Sequence, residues 1–142
     1  MTKVAMISGA SRGIGRAIAE QLGRQGIALS LAIRDAASAP QEEAFAPAGL
    51  MSFPYQATEA GSEMAWVEAT LARFGRVDIL VNAAGILRKV SLEDGREEDL
   101  DAMLAVNLKA PFRLIQAALP HLRASGRGRV INVACGAAGG LR

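Results

Sequence analysis

Residues 8–15 read Ser-Gly-Ala-Ser-Arg-Gly-Ile-Gly, between the apolar run Val4-Ala5-Met6-Ile7 and the helix-like stretch Arg16-Ala17-Ile18-Ala19-Glu20-Gln21-Leu22. The order strand, glycine turn, helix aims a helix N-terminus at a phosphate. The first N–H groups of a helix have no carbonyl partner, and the positive end of its dipole lies there. Gly9, Gly13 and Gly15 remove the side chains that would obstruct a tight turn, close backbone approach to an anion and packing of the helix on the strand. Ser11, Arg12 and Ile14 share the turn and are candidate contacts. A glycine-rich turn without a ligand is the competing reading, and the flanking strand and helix weigh against it.

Apolar, partly β-branched runs recur at residues 4–7, 27–33, 50–55, 77–81 and 130–133. Helical periods lie between them: Ile14, Ile18 and Leu22 with Ala17 alongside; Met64, Val67, Leu71 and Phe74; and a long fourth helix carrying Leu100, Leu104, Leu108, Phe112, Ile115 and Leu119 in one stripe. Near-continuous apolar strands alternating with amphipathic helices indicate an α/β protein with a parallel sheet covered on both faces. Right-handed crossovers then favour a Rossmann-type doubly wound parallel sheet, five strands in the order 3-2-1-4-5, within one domain spanning 1–142. The Ala/Pro-rich piece from Asp35 to Gly49 reads as a surface connection with at most a short helix around Gln41 to Ala46.

A 51% hydrophobic composition supplies a core, and 16 basic against 14 acidic residues, scattered along the chain, argue against a nucleic-acid partner. One cysteine, Cys135, and one histidine, His121, leave neither a disulfide framework nor a metal-ligand set. No apolar run approaches the roughly 20 residues of a membrane span, and the N-terminus passes straight into a strand without a signal peptide, so a cytoplasmic setting is expected.

Ligands of such sheets sit at the carboxyl ends of the strands, near the switch between strands 1 and 4. Three unusual segments fall at strand ends. The first is the glycine turn. The second is Asn82-Ala83-Ala84-Gly85, whose small residues permit close approach and whose Asn82 can bond neighbouring backbone, although a plain turn would read the same way. The third is the Ala/Gly run that begins at Ala134-Cys135, readable equally as a flexible terminus. Asn107 stands out separately. It lies on the apolar stripe between Leu104 and Leu108, where an amide needs partners, and four residues before Pro111, which removes a helix hydrogen bond.

In this order and spacing the segments resemble the short-chain dehydrogenases/reductases, NAD(P)-dependent oxidoreductases on a Rossmann-type fold. SGASRGIG is similar to the family's T-G-x-x-x-G-x-G cofactor turn, with Ser8 in place of threonine. NAAG at 82–85 resembles its N-A-G motif, which supports the sheet and borders the cofactor and would bring Asn82, Ala83 and Gly85 to the site. Asn107 resembles the helix asparagine that holds a water in the family's proton relay, and Gly128-Arg129-Val130-Ile131-Asn132-Val133 resembles the strand leading to its catalytic serine. Gln56 and Ala57 occupy the adenine-contacting region after the third strand, where the family often carries an acid at the position of Gln56. The resemblance implies a dinucleotide cofactor and a small carbonyl or alcohol substrate, reduction of a ketone or oxidation of a secondary alcohol, with 3-oxoacyl-carrier-protein reduction as one common form. It also implies association between copies through the fourth helix.

Charge bears on which dinucleotide. An acid at the end of the second strand suits ribose hydroxyls, whereas a 2′-phosphate needs a cation. Here Ile33 stands at the position resembling that acid and Arg34 follows it, with Arg12 in the glycine turn, which favours NADP(H) over NAD(H). A surface pair of Arg34 with Asp35 is the alternative. Two departures limit the chemistry the resemblance implies. Cys135 stands at the serine position, and the family's Tyr-x-x-x-Lys pair is absent from these 142 residues, whose one tyrosine is Tyr55. The expectation is therefore a C-terminally truncated cofactor-binding portion without competent catalysis, its fifth strand an uncovered edge and its fourth helix short of packing partners; a non-catalytic nucleotide-binding or subunit-interaction module is the alternative.

Overall fold

A computed structural model describes residues 1–35 and 45–134. The five strands are β1 (Val4–Ser8), β2 (Ala28–Ile33), β3 (Leu50–Pro54), β4 (Ile79–Asn82) and β5 (Arg129–Asn132). The helices are α1 (Gly13–Arg24), α2 (Ser62–Phe74), α3 (Glu97–Leu104) and α4 (Ala110–Ala124), with a π-helical turn at Ala105–Lys109 joining the last two. All strand pairs are parallel and the sheet order is β3-β2-β1-β4-β5, as the alternation of apolar runs and helical periods predicts. The strand bounds lie within two residues of those read from the sequence. The largest difference is at the start of β4, which begins at Ile79 rather than Val77.

Strand side chains point alternately to opposite faces, and the two faces of this sheet carry two cores. Ala5, Ile7, Leu29 and Leu31 pack with Ala19 of α1 on one side, joined by Phe45 and Ala46. Met6, Ala32 and Leu80 pack on the other side with Trp66 and Val67 of α2 and with Leu114, Ala118 and Leu122 of α4. The sheet is thus doubly wound. The short helix expected around Gln41 to Ala46 falls mostly outside the described residues.

The long fourth helix is interrupted. Pro111 has no N–H, so the carbonyl of Asn107 cannot receive the bond an α-helix would give it, and the chain widens to the π spacing in which the Ala110 N–H reaches Ala105 O. A π-turn adds a residue to the turn and shifts the phase of the apolar face. The single stripe expected from Leu100 to Leu119 is not the buried face on either side of that turn. Leu108 and Phe112 are 62% and 59% exposed, Leu100 and Leu104 are also exposed, and Ala110, Leu114, Ala117, Ala118 and Leu122 are buried instead. Asn107 is likewise exposed, which corrects the expectation of an amide buried on that stripe.

Candidate functional site

The carboxyl ends of β1, β2, β3 and β4 open onto one cleft of about 470 Å³. Its first wall is the glycine turn. Gly9 (φ +65°) lies so close to the NAAG loop that a Cβ there would stand 2.7 Å from Ala84 N. A Cβ on Gly15 would strike the Gly9 carbonyl, so these two glycines serve the packing of turn on loop and of helix on turn. Gly13 differs. It has φ +61° and nothing within 4 Å of where its Cβ would be. It faces open space at the start of α1, where neither a side-chain cap nor an acidic residue occupies the first turn. Those N–H groups and the dipole are left for an anion.

Ser8 holds the opposite wall. Its buried Oγ accepts the N–H groups of Ala83 and Ala84, each at 3.2 Å, and so ties the NAAG loop to the end of β1. Beyond it the Asn107 amide clamps Ile86: Nδ2 donates to Ile86 O at 2.8 Å and Oδ1 accepts Ile86 N–H at 2.9 Å. This is a local bidentate bond of the π-turn to the loop. Arg88 continues the same wall, its guanidinium paired with Asp99 at 3.0 Å.

Gly9, Ser11, Arg12, Gly13, Ile14, Gly15, Arg34, Gln56, Ala57, Ala83 and Gly85 all line the cleft. Asn82 does not. It is buried at the end of β4, where its Nδ2 donates to Asn132 Oδ1 at 2.8 Å and joins β4 to β5. Cys135 falls outside the described residues. Arg12 and Arg34 are exposed, and among the described residues neither makes an ion pair.

Tyr55 was not singled out as a site residue, yet it lies under the cleft as well as lining it. Its ring packs against Trp66, tilted by 34° with 5.4 Å between centroids. Burial, followed by the neighbouring Glu63 carboxylate, pushes its phenol above the usual range, and Arg113 opposes this only in part. The available sequence signal was its place at the end of the third strand, directly before Gln56. At the far ends of the strands, Asp78 is buried. Burial alone would raise its carboxyl, but bonds from Arg76 and from the Val4 N–H at 2.8 Å hold it below the ordinary range.

Among the described residues no helix is long and apolar enough to cross a membrane, and no group of three His, Cys, Asp or Glu could hold a metal. A doubly wound parallel sheet with a glycine turn at its switch point and a cleft across the strand ends defines a Rossmann-type protein. The family model for short chain dehydrogenases matches residues 3–140, and the chain belongs to that family of oxidoreductases. It is 40% identical over 138 residues to the 3-oxoacyl-[acyl-carrier-protein] reductase FabG of Staphylococcus aureus, covering 94% of this chain and 56% of that protein. It is 37% identical over 136 residues to an agropine synthesis reductase of Rhizobium rhizogenes, covering 92% of this chain and 30% of the relative. The fold matches an alcohol dehydrogenase from the archaeon Thermococcus sibiricus complexed with 5-hydroxy-NADP, with a TM-score of 0.86, 34% identity, and coverage of 93% of this chain and 57% of that one. It also matches a metagenomic short-chain oxidoreductase in complex with NADP, with a TM-score of 0.86, 37% identity, and coverage of 95% and 63%. The chain thus spans about half the length of its FabG relative.

Proposed function

We propose that this chain is the NADP(H)-binding portion of a reductase that interconverts a ketone and a secondary alcohol, with the acyl-carrier-protein-linked 3-oxoacyl group as the preferred substrate class. The carrying observation is the cleft itself: an uncapped helix start behind Gly13, with Arg12 and Arg34 on its rim and neither in an ion pair among the described residues. Its volume of about 470 Å³ falls within the range of small-molecule sites. The first turn of α1 would take the diphosphate, and Arg12 with Arg34 the 2′-phosphate. Gln56 and Ala57 would border the adenine, and Ala83 and Gly85 the remaining length of the cofactor. When bound, the nicotinamide supplies or accepts a hydride. Asn82 acts from beneath, by fixing β4 to β5. Asn107 holds the loop through Ile86 and, by the family resemblance, would hold a water of the proton relay. The substrate class rests on the resemblance to FabG, and association of two copies through the exposed face of α4 belongs to the same reading.

Binding and turnover separate within these 142 residues. The sole tyrosine, Tyr55, is buried and is followed four positions later by Glu59, so no Tyr-x-x-x-Lys acid is present. The chain is expected to bind NADPH without reducing ketones; measurable ketone reduction by the chain alone would overturn that separation. Isothermal titration tests the cofactor assignment: Arg34→Asp should shift preference from NADP toward NAD, and equal NADP affinity in the two proteins would count against it.

A further inference from the structure

Among the described residues the lining of the cleft carries three arginines, Arg12, Arg34 and Arg88, and no aspartate or glutamate. The three do not lie together. Arg34 follows β2 and Arg12 sits in the turn after β1, whereas Arg88 lies on the loop that leaves β4. The sheet order β2-β1-β4 puts the ends of β2 and β4 on opposite sides of the glycine turn. Arg88 therefore charges the other side of the cleft, three residues past Gly85, on a stretch of lining that is otherwise apolar through Ile86, Ala102 and Val106. Its backbone is fixed there. The Asn107 amide clamps Ile86, and the Arg88 N–H donates to Met103 Sδ at 3.4 Å. Its side chain is half exposed, and of its five N–H donors Nη1 gives one to Asp99 at 3.0 Å; the remaining donors have no acceptor among the described residues. Asp99 itself stands outside the lining. A half-exposed pair of this kind adds little to stability, so folding gives a weak account of a guanidinium anchored at the cleft wall.

We propose that Arg88 is a specificity-determining residue for the substrate, binding an anionic oxygen group, phosphate or carboxylate, that the substrate carries in addition to its carbonyl. This rests on the nucleotide reading of the cleft, in which the first turn of α1 and Arg12 with Arg34 take the phosphates of the cofactor and leave Arg88 without one. A guanidinium donates two parallel N–H bonds to such a group, and a cleft without carboxylates sets no like charge against it. Asp99 holds one edge of the guanidinium and competes with the incoming anion for it. Two sources supply this chemistry: the phosphate of the arm that links an acyl group to a carrier protein, and the carboxylate of a free 3-oxo acid.

The whole chain, saturated with NADPH, is titrated by nuclear magnetic resonance of its backbone amides with two pairs of probes that differ in one charged group. The pairs are acetoacetyl-4′-phosphopantetheine against acetoacetyl-pantetheine, and acetoacetate against methyl acetoacetate. At least one anionic probe is expected to bind roughly tenfold more tightly than its neutral counterpart, and the pair that shows this identifies the source. Arg88→Gln should abolish the difference while leaving NADPH affinity and the melting temperature unchanged. Arg88→Lys should keep part of it, as a charge without the planar fork. Asp99→Asn retains an acceptor for Nη1 but removes the competing charge, and should tighten the anionic probe about twofold to fivefold without moving its neutral counterpart. A chain that binds NADPH but none of the four probes, or binds each pair equally, overturns the role of Arg88 alone. So does a difference that survives Arg88→Gln. A loss of NADPH affinity in Arg88→Gln overturns it as well, by assigning the guanidinium to the cofactor. A wild-type chain that does not bind NADPH overturns the nucleotide reading and this proposal with it.

Discussion

β2 and β5 are strands of the same parallel sheet, each read from a short apolar run, but they meet different surroundings. Every residue of β2 is buried, with α1 and Phe45 over one face and Trp66 over the other. Every residue of β5 is exposed, Val130 and Ile131 among them at 39% and 46%. Coverage by helices, not strand composition, sets the contribution of a strand here. Burial of one aliphatic side chain contributes about 1.5–3 kcal/mol, and β5 receives only part of it. The glycine turn and the cleft stand on the well-covered half of the molecule. The β5 edge, by contrast, presents apolar side chains and an unpaired ladder among the described residues.

This contrast predicts a gradient of mutational cost from the centre of the sheet to that edge. The largest effect belongs at Gly9. Gly9→Ala places a side chain at φ +65° and against Ala84 N, and should cost about 2–5 kcal/mol in denaturant unfolding, with loss of NADPH binding. A loss below ~1 kcal/mol would mean that turn and loop can part.

Asp78 comes next, at the opposite end of β4 from the cleft. Removing its bonds to Arg76 and Val4 in Asp78→Ala should cost about 1–3 kcal/mol. Because the folded carboxyl titrates below its unfolded value of about 3.9, the stability it contributes is fully present above that pH. It is lost as pH falls through the lower, folded value. Acid unfolding of the variant should lack this component, and an unchanged profile below pH ~4 would break the assignment.

The smallest effect belongs to β5. Ile131→Lys should change unfolding free energy by no more than about 0.5 kcal/mol, while reducing any concentration-dependent association seen in sedimentation. A large loss of stability would show that β5 is covered in solution.

Most of the architecture was legible from the sequence because strand runs and helical periods are local signals, and a glycine turn between a strand and a helix marks a tight turn whatever its glycines later pack against. The lining of the cleft by Arg12 and Arg34 followed from their places beside strand ends. The buried face of the long helix was not legible. Periodicity marks an apolar stripe without saying what covers it: Leu100 and Leu104 before the π-turn and Phe112 after it are exposed, while Leu114 and Ala118, on another face of α4, pack on the sheet. Asn107 was read as an amide in need of partners; its partner, Ile86, lies 21 residues away in a loop, beyond any local pattern. The meeting of Glu63 with Tyr55 and Arg113 escaped for the same reason, since three elements must pack before those residues are neighbours.

The π-turn at Ala105–Lys109 holds one residue more than an α-helix would use over that length. That surplus residue acts as a rotational offset, turning the exposed face of α3 out of line with that of α4. Asn107 sits within the offset, and its aim at Ile86 depends on it. The wall of the cleft is in this sense indexed to a helix defect: deleting a single residue there would leave every side chain of the loop intact and point its clamp about 100° away.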